Sequence, residues 1–213
     1  GWKGLLDDAK RMGHMPANLF KSWQRDKSGT APQARDVRAV ERFQRTASTA
    51  TLASSAGQIL AGEVRRGATS RTAKNSTVNQ STRESAPQLT PQQVETLVGD
   101  VRTEINATIA LLRPQPDEIA EPDFDQAKQL LLYRPVIEAL KAQALAVQNA
   151  GAVVIAVRPP LGVKTAPWAG NWHLLAHEWY GDYTRAGELA RLNPQVTLPN
   201  NLQRGDMVNA YAR

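Results

Sequence analysis

The chain has no cysteine, which removes disulfides, thiolate nucleophiles and cysteine-based zinc sites together. Aromatic residues make up only 6% of it and apolar residues 41%. Alanine-rich, aromatic-poor helices bury little area each, so they gain much of their stability from neighbours in an assembly. The longest apolar run is residues 150–157, and no stretch long enough for a bilayer is free of polar groups, so no membrane span is expected. Lys3, Asp7, Asp8, Lys10 and Arg11 interrupt the start of the chain, so no signal-peptide core is expected there. No glycine-rich phosphate loop, Ser/His/Asp set or carboxylate pair in a cleft stands out, so the expectation is no enzyme, no cofactor and no small-molecule substrate.

Charge is present in excess of one sign, and it is unevenly spread. Residues 1–89 carry 15 Lys/Arg against 7 Asp/Glu, residues 90–157 carry 5 against 9, and residues 158–213 carry 6 against 4. These differences, +8, −4 and +2, add to the formal net charge of +6. A basic front and an acidic middle can steer a nucleic acid strand or pair head to tail with neighbouring copies.

Four segments follow from composition and periodicity. Residues 1–35 hold short amphipathic helices, with Trp2, Leu5, Leu6 and Ala9 on one face and Leu19, Phe20 and Trp23 on another, ending in a Ser28–Pro32 breaker cluster. Residues 36–89 combine a long helix to about Val64 with a basic low-complexity linker from Arg65 to Pro87. The small residues of 46–57 suit either a close backbone approach or a frayed segment, and their Ser and Thr are where the helix would break.

Residues 90–157 read as a helical hairpin. Thr90 caps its first helix, Pro91 fits N1 and Gln93 completes a capping box. Val94, Val98, Val101, Ile105, Thr108 and Leu112 form the stripe, and Arg113–Pro116 ends it. A second helix starts near Pro122, carries Phe124, Ala127, Leu131, Val136, Leu140, Ala144 and Val147, and contains Pro135. Val153–Val157 finishes that helix or leaves it as a strand. Asp117, Glu118, Glu121, Asp123 and Asp125 cluster around a helix start, where acids favour the dipole.

Residues 158–213 form the last segment, in which Trp168 to Tyr211 reads as a short strand, two short helices and a closing strand. Pro194 stops the second helix and pushes Asn193 towards an extended conformation. Gly205-Asp206 opens the alternation Met207, Val208, Asn209, Ala210, Tyr211. His173 and His177 lie one helical turn apart, but Leu174 stands where a zinc-protease motif needs Glu, so no metal is expected. Trp168, Trp172, Trp179, Tyr180 and Tyr183 supply core, partner contact, or both.

The element order from Trp168 to Tyr211 resembles the LysM-like module. Whole phrases, L-L-L-Y-R-P-V-I-E-A-L-K-A-Q-A-L-A-V-Q-N-A (130–150), A-H-E-W-Y-G-D-Y-T-R-A-G-E-L-A-R-L-N-P (176–194) and N-N-L-Q-R-G-D-M-V-N-A-Y (200–211), resemble the carboxy-terminal part of the Mu-like phage DNA circularization protein family. Members of that family are longer and carry a separate amino-terminal domain, and Gly1 in place of an initiator methionine agrees with a fragment, a processed product or only the ordered part of a longer protein.

The resemblance implies a mainly α protein with elongated helices, a helical hairpin and a small α+β LysM-like domain. It implies a structural component of a contractile phage tail, at the baseplate or central hub, located in the virion and assembled in the host cytoplasm. Its partners would be other tail proteins and copies of itself. The alternatives are a DNA-end-binding protein using Arg65, Arg66, Arg71, Lys74 and Arg83 on phosphate, and a peptidoglycan-binding LysM module. Partner docking falls to Trp168, Trp172, Trp179, Tyr183 and Asn193.

Overall fold

The computed structural model describes residues 3, 4, 7, 11, 31–72, 89–120, 123–196 and 202–212. They are mainly helical, with one two-stranded antiparallel sheet. The order is α1 (Ala31–Thr72), α2 (Pro91–Leu112), a single turn α3 (Pro116–Ile119), α4 (Gln126–Ala156), β1 (Leu161–Thr165), α5 (Trp172–Tyr180), a 3₁₀ turn (Tyr183–Arg185), α6 (Ala186–Leu192) and β2 (Met207–Tyr211). The apolar residues assigned to faces of the first segment lie outside the described residues.

Two compact units emerge, each discontinuous in sequence: residues 1–59 with 95–151, and residues 60–94 with 152–213. They do not follow the four consecutive segments expected above, because α1, α2 and α4 each contribute residues to both.

In the first unit, α1 runs unbroken through the Ser/Thr-rich stretch where a break was expected. Ser48, Thr49, Leu52, Ala53 and Ala56 are buried there, so the small residues form a packed face. Thr49 shares a 2.8 Å hydroxyl–hydroxyl bond with Thr108 of α2, and the Thr108 hydroxyl donates back to the Glu104 carbonyl at 3.0 Å. Tertiary pairing thus overrides the low helix propensity of threonine. On α2, Leu97, Val101, Ile105, Ile109 and Leu112 are buried, whereas Val98 is only half-buried.

Charged groups are buried in this unit as pairs. The Arg42 guanidinium donates to Glu118 at 2.6 Å and to the Leu111 carbonyl at 2.9 Å. Arg45 pairs with Glu104, both of them buried. Burial alone would raise the Glu118 pKa, but the Arg42 hydrogen bond, the Gln115 N–H and the charges of Arg42 and Arg38 together hold it below the usual carboxylate value. The acids at 117 and 118 therefore do more than complement a helix dipole.

Helix α4 starts at Gln126, two residues after Phe124, and the Asp125 carboxylate accepts from the Lys128 N–H at 2.9 Å as its cap. It continues through Pro135 and keeps residues 153–156 helical. Ile137, Leu140 and Val147 are buried, but Leu131, expected on the inner face, is 69% exposed. By length and composition α4 is apolar enough to cross a membrane, since its glutamines and asparagine carry no charge; only 22% of its most apolar window is buried.

In the second unit, the capping box at the α2 start is formed as expected: Gln93 N–H donates to the Thr90 hydroxyl at 3.2 Å, and Thr90 N–H donates to the Gln93 side chain at 2.8 Å. Arg65 to Thr72 continue α1 where a linker was expected. Glu63 anchors this stretch: it accepts from Arg158 at 2.6 Å, from Arg66 at 2.8 Å and from the Leu89 N–H at 3.2 Å. Gly67 is buried against Val157, and a Cβ at Gly67 would stand 3.0 Å from the Val157 side chain, a distance that admits only glycine without adjustment.

Candidate docking surface of the C-terminal module

Strand β1 begins straight after Pro159-Pro160, before the tryptophan cluster, and pairs antiparallel with β2 in the register Leu161↔Tyr211, Gly162↔Ala210, Val163↔Asn209, Lys164↔Val208 and Thr165↔Met207. A further bridge joins Gly170 and Leu202. Because side chains alternate across a strand, Val208 and Ala210 face one side and are buried. Below them lie Ala166, Trp172, Leu175, Ala176, Ala186, Leu189 and Leu202, with Trp179 and Tyr180 packed at the margin. The module has a core of its own.

Local signals shape the helices. Asn171 caps α5 by accepting from the Leu174 N–H at 3.0 Å, and Gly181 ends it in the left-handed region, φ 71°, donating to the His177 carbonyl at 2.7 Å. Asp182 accepts from the Thr184 N–H and hydroxyl to start the 3₁₀ turn. Gly205 turns the chain into β2 at φ 97°.

Asn193 ends α6, as Pro194 led one to expect, but it is buried there. Its side-chain amide donates to the Leu189 carbonyl at 2.8 Å and to the Asn209 carbonyl at 2.9 Å, while its oxygen accepts from the Asn209 N–H at 2.8 Å. The Tyr180 hydroxyl likewise accepts from the Tyr211 N–H at 3.0 Å. Side chains thereby cover the middle of the outer edge of β2. Asn193 was expected to dock a partner; it is a structural clamp instead, because its hydrogen-bonding groups are spent on the module's own backbone.

The aromatic residues divide. Trp172 is core and offers no docking area, contrary to expectation. Trp179 is half-buried, with the Lys164 ammonium 5.4 Å from its ring centre and 5.8 Å from that of Tyr180. Trp168 and Tyr183 are exposed. His173 and His177 are both exposed, and the His173 ring lies 3.2 Å from the Tyr183 carbonyl. Among the described residues no His/Asp/Glu group could hold a metal.

The Arg185 guanidinium stacks 3.7 Å over Tyr180 and pairs with buried Glu188 at 2.6 Å. Burial, and after it the Glu188 charge, pushes the Tyr180 hydroxyl up to about 12. Burial also raises Tyr211, with the Arg158 charge opposing. Neither tyrosine is poised for acid–base chemistry near neutrality.

Of the basic residues singled out for phosphate contact, Arg65 is exposed on α1 and Arg66 is half-buried against Glu63. Arg71 is helical in backbone; its side chain, and Lys74 and Arg83 entirely, lie outside the described residues. What sequence reading missed is apolar exposure on the sheet: Val163 is 58% exposed and Met207 72%, on the face turned away from the core. The alternation of L-G-V-K-T after two prolines was the available signal. No protein-family model, curated protein or solved structure matches this chain.

Proposed function

We propose that this protein is a structural component of a contractile bacteriophage tail, in the baseplate or central hub, holding neighbouring tail proteins together. The phrase-level resemblance to the Mu-like DNA circularization family points to the phage setting. The observation that carries the assembly role is α4: a 31-residue helix rich in leucine and valine, with Leu130, Leu131, Leu132 and Leu145 exposed in its own unit. Phe43 of α1, in the same unit, is 74% exposed. Exposed apolar surface of this extent belongs against another surface. In this reading other tail proteins cover α4, and the strand–helix–helix–strand module, LysM-like in its order, docks onto a neighbouring subunit through Trp168, Tyr183 and the margin of Trp179.

Deleting the coding sequence in the phage or prophage that carries it tests the reading. The expected result is particles without complete tails by negative-stain microscopy, with the chain detected by mass spectrometry in intact wild-type tails. Normal tails lacking the chain would overturn it. The same experiment separates the membrane alternative for α4, which predicts that the chain sediments with host membranes instead.

The surplus of basic residues before residue 90 favours one second reading, binding of phage DNA ends. It predicts a gel shift by the whole chain that weakens steeply between low and moderate salt. No shift at low salt leaves the structural reading alone.

A further inference from the structure

The sheet of the second unit has two edges, and side chains cover part of only one. Pro160 accepts from the Ala212 N–H at 2.7 Å, and the Ala166 N–H donates to Asp206 at 2.8 Å. Antiparallel bonding alternates along a strand, so within the register it is Gly162 and Lys164 that exchange bonds with Ala210 and Val208. The N–H and C=O groups of Leu161, Val163 and Thr165 therefore point away from β2. On β2 Asn193 takes the outward N–H and carbonyl of Asn209, and Tyr180 takes the outward N–H of Tyr211. On β1 nothing among the described residues takes the outward groups.

Edge strands are ordinarily guarded by proline, a bulge or an inward-pointing charge. No proline or bulge interrupts Leu161–Thr165. Its one charge, Lys164, points to the core-facing side of the sheet, where its ammonium lies over the rings of Trp179 and Tyr180. That inward charge is a guard of this kind, but it does not cover the outward backbone groups of β1.

We propose that β1 joins β1 of a second copy of this chain, antiparallel and centred on Val163, making a four-stranded sheet across a twofold axis. The strand's own sequence argues for a second copy. Centred on Val163, L-G-V-K-T pairs Leu161 with Thr165 of the partner subunit, and Val163 with Val163 of the partner subunit. This register joins all five residues and uses the outward backbone groups, giving on the order of six backbone hydrogen bonds. Lys164 falls opposite Gly162 of the partner subunit, so no like charges face each other. Sliding by one pair, so that Val163 meets Thr165, sets lysine against lysine, which is unfavourable. The interface stands independently of the tail reading, and either can fail without the other.

The test is the mass of the full chain by light scattering at about 100 μM, where even a small interface still associates. The wild type should be dimeric. Val163→Lys and Val163→Glu each place like charges face to face and should weaken association roughly five- to tenfold. Since the Val163 side chain is exposed, both should keep the wild-type melting temperature. Mixed in equal amounts, the two variants should recover association at least as tight as wild type. A monomeric wild type, variants that dimerise undiminished, or a mixture that stays monomeric would each overturn the proposal.

Discussion

The side-chain amide of Asn193 engages both backbone groups of Asn209, donating to its carbonyl at 2.9 Å and accepting from its N–H at 2.8 Å. One residue thus does for β2 what a third strand would do. Asparagine is suited to this because its amide carries a donor and an acceptor in the spacing of a peptide group.

Replacing Asn193 with Ala leaves the Asn209 N–H and carbonyl without that partner in a partly buried setting. A cost of about 2–3 kcal/mol follows, measurable by urea unfolding of the full chain. Amide exchange gives the sharper reading: the Asn209 N–H should lose protection in the variant while the inward Ala210 N–H keeps it. Unchanged protection at Asn209 would show that the clamp is not formed in solution.

Tyr180 gives the module a signature at high pH. Its pKa is pushed up to about 12 from an ordinary 10 by burial and then by Glu188, so the folded state holds the phenol proton where the unfolded chain has lost it. The stability this confers is complete below pH 10 and is lost as pH rises through about 12. Absorbance titration near 295 nm should show late ionisation that disappears in Tyr180→Phe. That variant should also lose about 1–2 kcal/mol at neutral pH, because the Tyr211 N–H loses its acceptor.

What could be read from sequence was what local chemistry decides. Thr90, Pro91 and Gln93 lie within four residues of one another, and their capping box formed as expected. The alternation from Met207 to Tyr211 likewise gave a strand over those residues, alternating in burial as far as Ala210, while Tyr211 is buried as well. Features set by distant partners were not legible. Thr49 keeps α1 helical by bonding a residue 59 positions away, and Asn193 reads as a helix stop until the position of Asn209 is known. Five residues of β1 containing a glycine carry little signal before β2 supplies their pairing. The α4 stripe held at Leu140 and Val147, which are buried, but not at Leu131: nine residues before Leu140 it falls on the opposite side of the helix, and Ile137 takes the inner face.

Glu63 and Arg158 form the most enclosed ion pair of the second unit, 2.6 Å apart and both buried. Glu63→Leu removes the carboxylate facing buried Arg158 and should cost about 3–5 kcal/mol, whereas Arg158→Met leaves Glu63 its pair with Arg66 and should cost less. The double variant should cost less than Glu63→Leu alone, since the charge that then loses its carboxylate is the partly exposed Arg66. Its residual cost comes from the Leu89 N–H and Tyr211 hydroxyl, which also bond to this pair. A double-mutant cycle in denaturant measures the coupling directly; additive losses would mean that the two charges do not meet in solution.

Glu118 should govern the acid limb of stability in the first unit. Arg42 and Arg38 hold its pKa below the ordinary 4.5 against the opposing effect of burial. For a depressed carboxylate, the unfolded chain takes up a proton at higher pH than the folded one does. The stabilisation is therefore full above about 4.5 and drains away as pH falls through the lower folded value. Glu118→Gln keeps the shape but removes the charge facing Arg42, and about 3 kcal/mol should be lost at pH 7. The gap between wild type and variant should then narrow as unfolding is repeated at successively lower pH below 4.5. Narrowing must occur at the acid end, because that is where the Glu118 carboxylate changes state. A gap of constant size from pH 7 to pH 3 would assign acid sensitivity to another of the buried carboxylates, with Glu104 beside Arg45 the first to substitute next.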